Sequence, residues 1–191
     1  MEKARALCAS CDDPLLQEEL ASLIQIDEAM GTGRYFACIL EPMQSEGGES
    51  YVSARFARCI RLLTRRHNVA LIIDEVQTGF GLGGDFFWHR KFNLVDASGA
   101  PDLPDAVTCA KRAQAGVCIS RFQDPEPTCV DAASLIRGRI HGEMMVGDRH
   151  AATLEALLAP RLDALKESFP GLVSEPRFMG YAFAFDLPYR H

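Results

Sequence analysis

The sequence lacks three features that define large classes of proteins: a long apolar run, a basic surface and a nucleotide-phosphate loop. A helix that crosses a bilayer needs about 20 consecutive apolar residues, and no run in this chain of 191 residues approaches that length. The formal net charge is −6, and the one basic run, RLLTRRH at residues 61–67, is interpreted as a solvated helix face. A nucleic-acid binder needs a clustered basic face, so neither a membrane protein nor a nucleic-acid binder is predicted.

The cysteine pattern is typical of a reducing compartment. Seven cysteines, an odd number, are scattered through the chain, and most are expected to be buried thiols. Cys8 and Cys11 form a C-x-x-C motif, but no second pair or histidine stands at zinc-ligand spacing, so no metal site is predicted. The first residues, MEKARALCASCDD, have no apolar core of the signal-peptide kind, and a cytoplasmic protein is expected.

Apolar periodicity predicts alternating helices and strands. Residues 13–30 and 53–67 carry apolar residues at helical spacing, and in the second segment we expect Phe56, Ile60 and Leu63 inward and the arginines outward. Three mainly apolar runs predict buried strands: residues 35–42, 69–74 and 105–111. Strands without polar alternation, separated by a helix, are typical of a mostly parallel sheet covered by helices, which is an α/β fold.

The pattern changes near residue 150. Residues 152–169 are again helical, with an interruption expected at Pro160, and YAFAFDLP at residues 181–188 predicts a closing strand. We therefore divide the chain into residues 1–150, part of a large domain, and residues 151–191, a linking helix and the beginning of a small C-terminal domain.

Glu41, Asp74 and Lys111 each stand just past an apolar run. In an α/β sheet, ligands bind at the carboxyl ends of the strands. These two carboxylates and one lysine are therefore the first candidates for a functional site.

The stretch LIIDEVQTGFGLGG, residues 71–84, allows three interpretations. A strand that ends in Asp-Glu can hold magnesium beside a nucleotide, but the phosphate loop G-x-x-x-x-G-K-[ST] does not occur in the sequence. Gly79, Gly81 and Gly84 form G-x-G-x-x-G, yet DEVQT separates them from the strand, so a glycine-rich surface turn explains them better than a dinucleotide loop. The third interpretation is that the strand delivers Asp74 to an organic cofactor.

Pyridoxal phosphate requires four kinds of group, and the sequence offers each of them. A lysine binds its aldehyde covalently, and a carboxylate keeps its pyridine nitrogen protonated, so that the ring acts as an electron sink. Lys111 and Asp74 can supply these two groups from two strand ends. Val76 is the candidate to pack on the ring, and Gln77 is the candidate to reach the phenolic oxygen.

Three blocks carry a family resemblance: EPMQSEGG (residues 41–48), LIIDEVQTGFGLGG (71–84) and PDAVTCAK (104–111). In this order they resemble the signature blocks of the class III pyridoxal-phosphate aminotransferases, and in particular the 4-aminobutyrate and L-lysine 6-aminotransferase group. The resemblance implies part of a fold-type-I large domain and a homodimer. It also implies transamination of an ω-amino acid, of the lysine or 4-aminobutyrate type, with 2-oxoglutarate as acceptor.

The resemblance also implies roles for the cofactor residues. Lys111 resembles the lysine that binds the cofactor, and Asp74 resembles the partner of the pyridine nitrogen. Gln77 matches the glutamine near the phenolic oxygen, and Val76 matches the residue that packs on the ring.

On the substrate side, Glu46 matches the glutamate that pairs with a switching arginine and helps to sort the two substrates. Glu41 and Gln44 match neighbouring positions of the same loop. The chain departs from the family where a threonine would bind phosphate, since Glu143 stands at the comparable place, and residues 1–40 contain no glycine/serine phosphate loop. The alternative hypothesis is therefore a shortened, catalytically inactive relative that associates with itself or with a longer chain.

Overall fold

The computed structural model describes residues 12–96, 98–123, 131–148 and 150–188. The helices are α1 (Pro14–Gly31), α2 (Ala54–His67), α3 (Ala132–Val146) and α4 (His150–Ser168). The strands are β1 (Ala37–Leu40), β2 (Met43–Gln44), β3 (Ser50–Tyr51), β4 (Ala70–Glu75), β5 (Ala106–Cys109), β6 (Val117–Ser120), β7 (Ser174–Met179) and β8 (Ala182–Asp186). The C-x-x-C motif of Cys8 and Cys11 lies outside the described residues.

Local sequence signals define where α1 and α2 begin. The Asp13 carboxylate accepts a hydrogen bond from the Leu15 amide at 3.0 Å, and Pro14 is the first residue of α1. The Ser53 hydroxyl accepts a hydrogen bond from the Phe56 amide at 3.0 Å. Such caps satisfy backbone donors that have no partner within the helix. The two helices predicted from periodicity are confirmed within one residue at each end.

The main sheet has the strand order β1-β4-β5-β6. Strands β1, β4 and β5 are parallel, and β6 is antiparallel to β5. The α/β class with a mostly parallel sheet is therefore confirmed. In the pairing of β4 with β5, Asp74 stands opposite Thr108 and Glu75 opposite Cys109, so that the carboxyl ends of the two strands meet at one edge of the sheet.

The core forms between β4 and the segments that precede and follow it. Leu71 and Ile73 of β4 are fully buried and cluster with Ile60 of α2 and with Trp88 and Phe92. The last two residues bound a short 3₁₀ helix, Trp88–Phe92, at the end of the glycine-rich loop. Of the residues predicted to point inward from α2, Ile60 is buried and the other two are half-buried.

The expectation that all the arginines of α2 face solvent is wrong for Arg61, which is 1% exposed. Its guanidinium contacts Asp105 at 2.7 Å and Asp102 at 2.8 Å, and the Asp105 carboxylate also accepts the Leu71 amide at 2.7 Å. Two carboxylates compensate the buried charge, which would otherwise be very costly. The network ties α2 to the amino ends of β4 and β5.

The pKa values of both carboxyl groups reflect this network. The hydrogen bond from Arg65 holds the pKa of Asp102 below its ordinary value, and the bond from Arg61 acts in the same direction. Burial by itself would raise the pKa of Asp105, but the hydrogen bonds from Arg61 and the Leu71 amide outweigh it and lower the pKa.

The C-terminal part differs from expectation in two places. The predicted interruption at Pro160 is wrong, because α4 runs through this residue as one helix, and the Arg161 guanidinium donates to the Leu157 carbonyl at 2.7 Å in the same turn. Helix α3 was not predicted. The predicted closing strand is β8, which pairs antiparallel with β7. The domain boundary at residue 150 stays a prediction.

Within the described residues, no helix is both long and apolar enough to span a membrane.

We predict that Arg61→Met lowers the free energy of unfolding by about 3–5 kcal/mol, because it removes the main charged partner of the buried Asp105 and one of the two arginine partners of Asp102. Urea denaturation followed by circular dichroism measures the change. Arg66→Met is the matched control, since Arg66 is 66% exposed and its ion pair with Asp27 is 3.5 Å long. This control should cost no more than about 1 kcal/mol. Equal losses in both variants would contradict the stabilising role of the buried Arg61 network.

Candidate cofactor site at the strand ends

The Glu75 carboxylate closes the glycine-rich loop onto the end of β4. Glu75 is fully buried. It accepts hydrogen bonds from the Thr78 hydroxyl at 2.9 Å, the Trp88 amide at 2.9 Å, and the amide and Nδ1 of His89 at 2.7 and 2.8 Å. Gly79 permits this tight return, because a Cβ there would lie 2.8 Å from the Glu75 carbonyl oxygen. A buried carboxylate is tolerated only with such donors. These hydrogen bonds therefore attach the loop to the end of β4.

Asp74 precedes Glu75, and its side chain lies on the opposite face of the strand, since successive side chains alternate. Asp74 is half-buried, and its Oδ1 accepts hydrogen bonds from the Val76 amide at 2.9 Å and the Thr108 hydroxyl at 3.1 Å. Within the described residues, no hydrogen bond reaches the second oxygen, Oδ2. This oxygen is available to accept an N–H group from a ligand.

Lys111 lies just past the end of β5 and meets the loop that follows β4. Its amino group donates a hydrogen bond to Oε1 of Gln77 at 2.9 Å. The backbone of Lys111 is left-handed, with φ of 38°, and it begins a single 3₁₀ turn, Lys111–Ala113. A non-glycine residue in this region carries strain of order 1 kcal/mol, and such strain concentrates at functional sites.

Four of the predicted residues therefore occupy one edge of the sheet. Asp74 is the last residue but one of β4, Val76 and Gln77 follow the strand, and Lys111 reaches Gln77 from just past the end of β5. Val76 is half-buried. The roles of these residues in cofactor binding stay predictions at this stage.

Glu46 and Gln44 lie on a separate antiparallel hairpin formed by β2 and β3. Both side chains are exposed, and so is Glu41. Arg177 of β7 donates hydrogen bonds to two backbone carbonyls of this hairpin loop. Among the described residues, no hydrogen bond or ion pair joins either side chain to the strand-end residues. Their roles in substrate selection stay predictions.

Glu143 lies on α3 and is exposed. Its carboxylate accepts a hydrogen bond from Arg139 at 2.8 Å, one helical turn away. Its charge is therefore compensated on the helix surface. That it stands at the place of a phosphate-binding threonine stays a prediction.

The cysteines of the described part are free thiols with different environments. Cys109 is buried, Cys38 and Cys59 are half-buried, and Cys118 is exposed. Burial, followed by the nearby charges of Glu75 and Asp74, raises the pKa of Cys109 to about 12. This thiol is therefore protonated at neutral pH and is not a nucleophile.

Sequence reasoning missed three residues that shape the site. Glu75 attaches the loop to β4, His89 donates hydrogen bonds to Glu75, and Thr108 donates a hydrogen bond to Asp74. The signal for Thr108 is its position three residues before Lys111, on a strand parallel to β4. The signal for His89 is a polar side chain within the aromatic segment FFWHRKF.

The groups at this edge fit the ring of pyridoxal phosphate. Oδ2 of Asp74 matches the pyridine N–H, and the exposed amine of Lys111 matches the aldehyde. The amide oxygen of Gln77 accepts from Lys111, which leaves its NH₂ group as a donor for the phenolic oxygen. The described residues contain no group of three His, Cys, Asp or Glu side chains arranged to hold a metal ion.

Comparison with known proteins places the chain in a family. The family model for aminotransferase class III matches residues 9–154. An L-lysine-epsilon aminotransferase of Amycolatopsis lactamdurans is 31% identical over 80% of this chain and 36% of its own length. The mitochondrial 4-aminobutyrate aminotransferase of Homo sapiens is 30% identical over 78% of this chain and 31% of its own.

A solved structure of lysine aminotransferase from M. tuberculosis superimposes with a TM-score of 0.79 at 26% identity, over 92% of this chain and 43% of that one. The chain thus spans less than half of the length of these relatives. It belongs to the class III aminotransferase family, whose members depend on pyridoxal phosphate. The resemblance inferred from the three sequence blocks is confirmed.

We predict that Glu75→Ala lowers the free energy of unfolding by about 3 kcal/mol or more, because several buried donors lose their acceptor at once. Hydrogen exchange at the Trp88 and His89 amides should accelerate in the same variant. Asp85→Ala is the matched control, since Asp85 is 49% exposed and pairs only with Lys91 at 3.0 Å among the described residues. An unchanged exchange rate at both amides in Glu75→Ala would contradict the role of Glu75 in attaching the loop to β4.

Proposed function

We propose that this chain carries a pyridoxal phosphate site for transamination of an ω-amino acid, of the lysine or 4-aminobutyrate type, with 2-oxoglutarate as acceptor. The observation that carries the proposal is the contact of 2.9 Å between Lys111 Nζ and Gln77 Oε1, at the sheet edge where Asp74 has one free carboxylate oxygen. The names of the relatives, a lysine-epsilon and a 4-aminobutyrate aminotransferase, support the substrate class. Because the chain spans only part of those relatives, the whole reaction is part of the proposal.

Lys111 and Asp74 are assigned the chemical work. When bound, pyridoxal phosphate supplies an electron sink for negative charge at the substrate carbon. Nζ of Lys111 would hold the cofactor and would serve as the base that moves a proton between the reacting carbon atoms. Oδ2 of Asp74 would accept the pyridine N–H and keep that proton in place, since a carboxylate favours a positive charge beside it.

Gln77 and Val76 are assigned to orientation. The Gln77 side chain accepts a hydrogen bond from Lys111 at 2.9 Å, and its NH₂ group would donate to the phenolic oxygen. Gln77 would therefore orient both the lysine amine and the cofactor. Val76 would pack on the ring. Gln44 would complete the cofactor contacts from the β2–β3 hairpin, and Glu46 of the same hairpin would sort the two substrates.

The second candidate function is that of a catalytically inactive subunit which associates with a second copy or with a longer chain. Helix α3 is the observation that favours it, because none of its residues is buried. Ile136, Ile140 and Met144 follow one another at a spacing of four residues and are 50–63% exposed. A stripe of exposed apolar residues along one face of a helix is normally covered by a partner. A cytoplasmic location is proposed under either function, and a homodimer under the first.

The proposed function predicts selective labelling of one lysine. The chain has four lysines: Lys3, Lys91, Lys111 and Lys166. Incubation with pyridoxal phosphate, borohydride reduction and peptide mass mapping should label Lys111 at least about tenfold more than the others, since its exposed amine is held at the strand ends by Gln77. Lys111→Arg should abolish the visible absorbance band, whereas the matched control Lys91→Arg should leave it unchanged.

Equal labelling of the four lysines would contradict the cofactor site. If the same sample also sediments as a dimer or larger species in analytical ultracentrifugation, the associating-subunit function is favoured. Monomeric protein with uniform labelling would contradict both functions.

A further inference from the structure

The Thr108 hydroxyl contacts the Asp74 carboxylate across the sheet. It donates to Oδ1 of Asp74 at 3.1 Å from the adjacent parallel strand. Thr108 is half-buried, and its neighbours in the strand, Val107 and Cys109, are buried in a separate apolar cluster. Thr108 is thus the one residue of β5 that offers a hydroxyl to the site edge.

The two donors to Asp74 act on the same oxygen. The Val76 amide reaches Oδ1 along the chain at 2.9 Å, and the Thr108 hydroxyl reaches it across the sheet at 3.1 Å. A single local donor leaves a carboxylate free to rotate about its terminal torsion, which is broad and two-fold. A second donor from another strand fixes which oxygen stays bound to protein and which one stays free.

We infer that Thr108 is a positioning residue of the cofactor site: its hydroxyl holds Oδ1 of Asp74, so that Oδ2 alone is presented to the pyridine N–H. The inference rests on the proposed function. In this role Thr108 acts through Asp74 and itself touches neither cofactor nor substrate. A hydrogen bond that orients a charged group in advance strengthens its next interaction, because no reorganisation is needed on binding.

The test compares Thr108→Val, which keeps the shape and removes the hydroxyl, with Thr108→Ser, which keeps the hydroxyl. Pyridoxal phosphate is titrated into each variant, and the dissociation constant is read from the visible absorbance band. Thr108→Val should weaken binding about three- to tenfold, the effect of losing one such hydrogen bond, and Thr108→Ser should restore it. Thr64→Val is the matched control, because Thr64 is buried in α2 and donates to the Arg61 carbonyl.

A double-mutant cycle separates positioning from a general structural role. If Thr108 acts through Asp74, the effect of Thr108→Val disappears in an Asp74→Ala background. An effect of the same size in that background, or binding by Thr108→Val that equals wild type, would overturn the inference. Thr108→Ala gives a second deletion of the hydroxyl if the valine variant does not fold.

A cofactor-free readout keeps the two proposals distinguishable. Loss of the Thr108 hydroxyl should accelerate hydrogen exchange of the Val76 amide by about fivefold or more, because the shared acceptor becomes mobile, and Thr108→Ser should exchange like wild type. If wild type fails to bind pyridoxal phosphate, the proposed function fails, and the exchange rate alone decides the role of Thr108. An unchanged exchange rate of the Val76 amide in Thr108→Val would overturn the positioning role of Thr108.

Discussion

The hydrogen bonds to the buried carboxylate of Glu75 are the interaction on which the site depends. They come from Thr78, Trp88 and His89, so the first turn and the far end of the glycine-rich loop are fixed to one strand end. Asp74, on the other face of the strand, is thereby held at the start of this loop. A carboxylate without those donors would not stay buried, and the loop would lose the position from which Gln77 meets Lys111.

Arg61 anchors the amino ends of β4 and β5, opposite the ends that carry the site. This arginine joins α2 to Asp102 and Asp105, and Asp105 also holds the first buried amide of β4. Buried carboxylates thus act at both ends of β4: Asp105 joins its amino end to the start of β5, and Glu75 joins its carboxyl end to the loop that follows. Catalytic geometry demands such support, because misplacement of a reacting group by about 1 Å costs large factors in rate.

The sequence predicted those parts of the molecule that depend on local pattern. Strand β4 and the residues Asp74, Gln77 and Lys111 were found because an apolar run and three ordered motifs mark them. Helix α3 was missed, since it packs no residue into the core and two internal glycines, Gly138 and Gly142, weaken its helical signal. The burial of Arg61 was missed because its partners lie 41 and 44 residues away, and the contact of Thr108 with Asp74 appears only once the strand register is known.

The most direct test of the central claim is a crystal structure of the chain grown with pyridoxal phosphate. The account predicts continuous electron density between Nζ of Lys111 and the cofactor, with Oδ2 of Asp74 within about 3 Å of the pyridine nitrogen. Cofactor density at another lysine, or a ring turned so that its nitrogen faces away from Asp74, would contradict it.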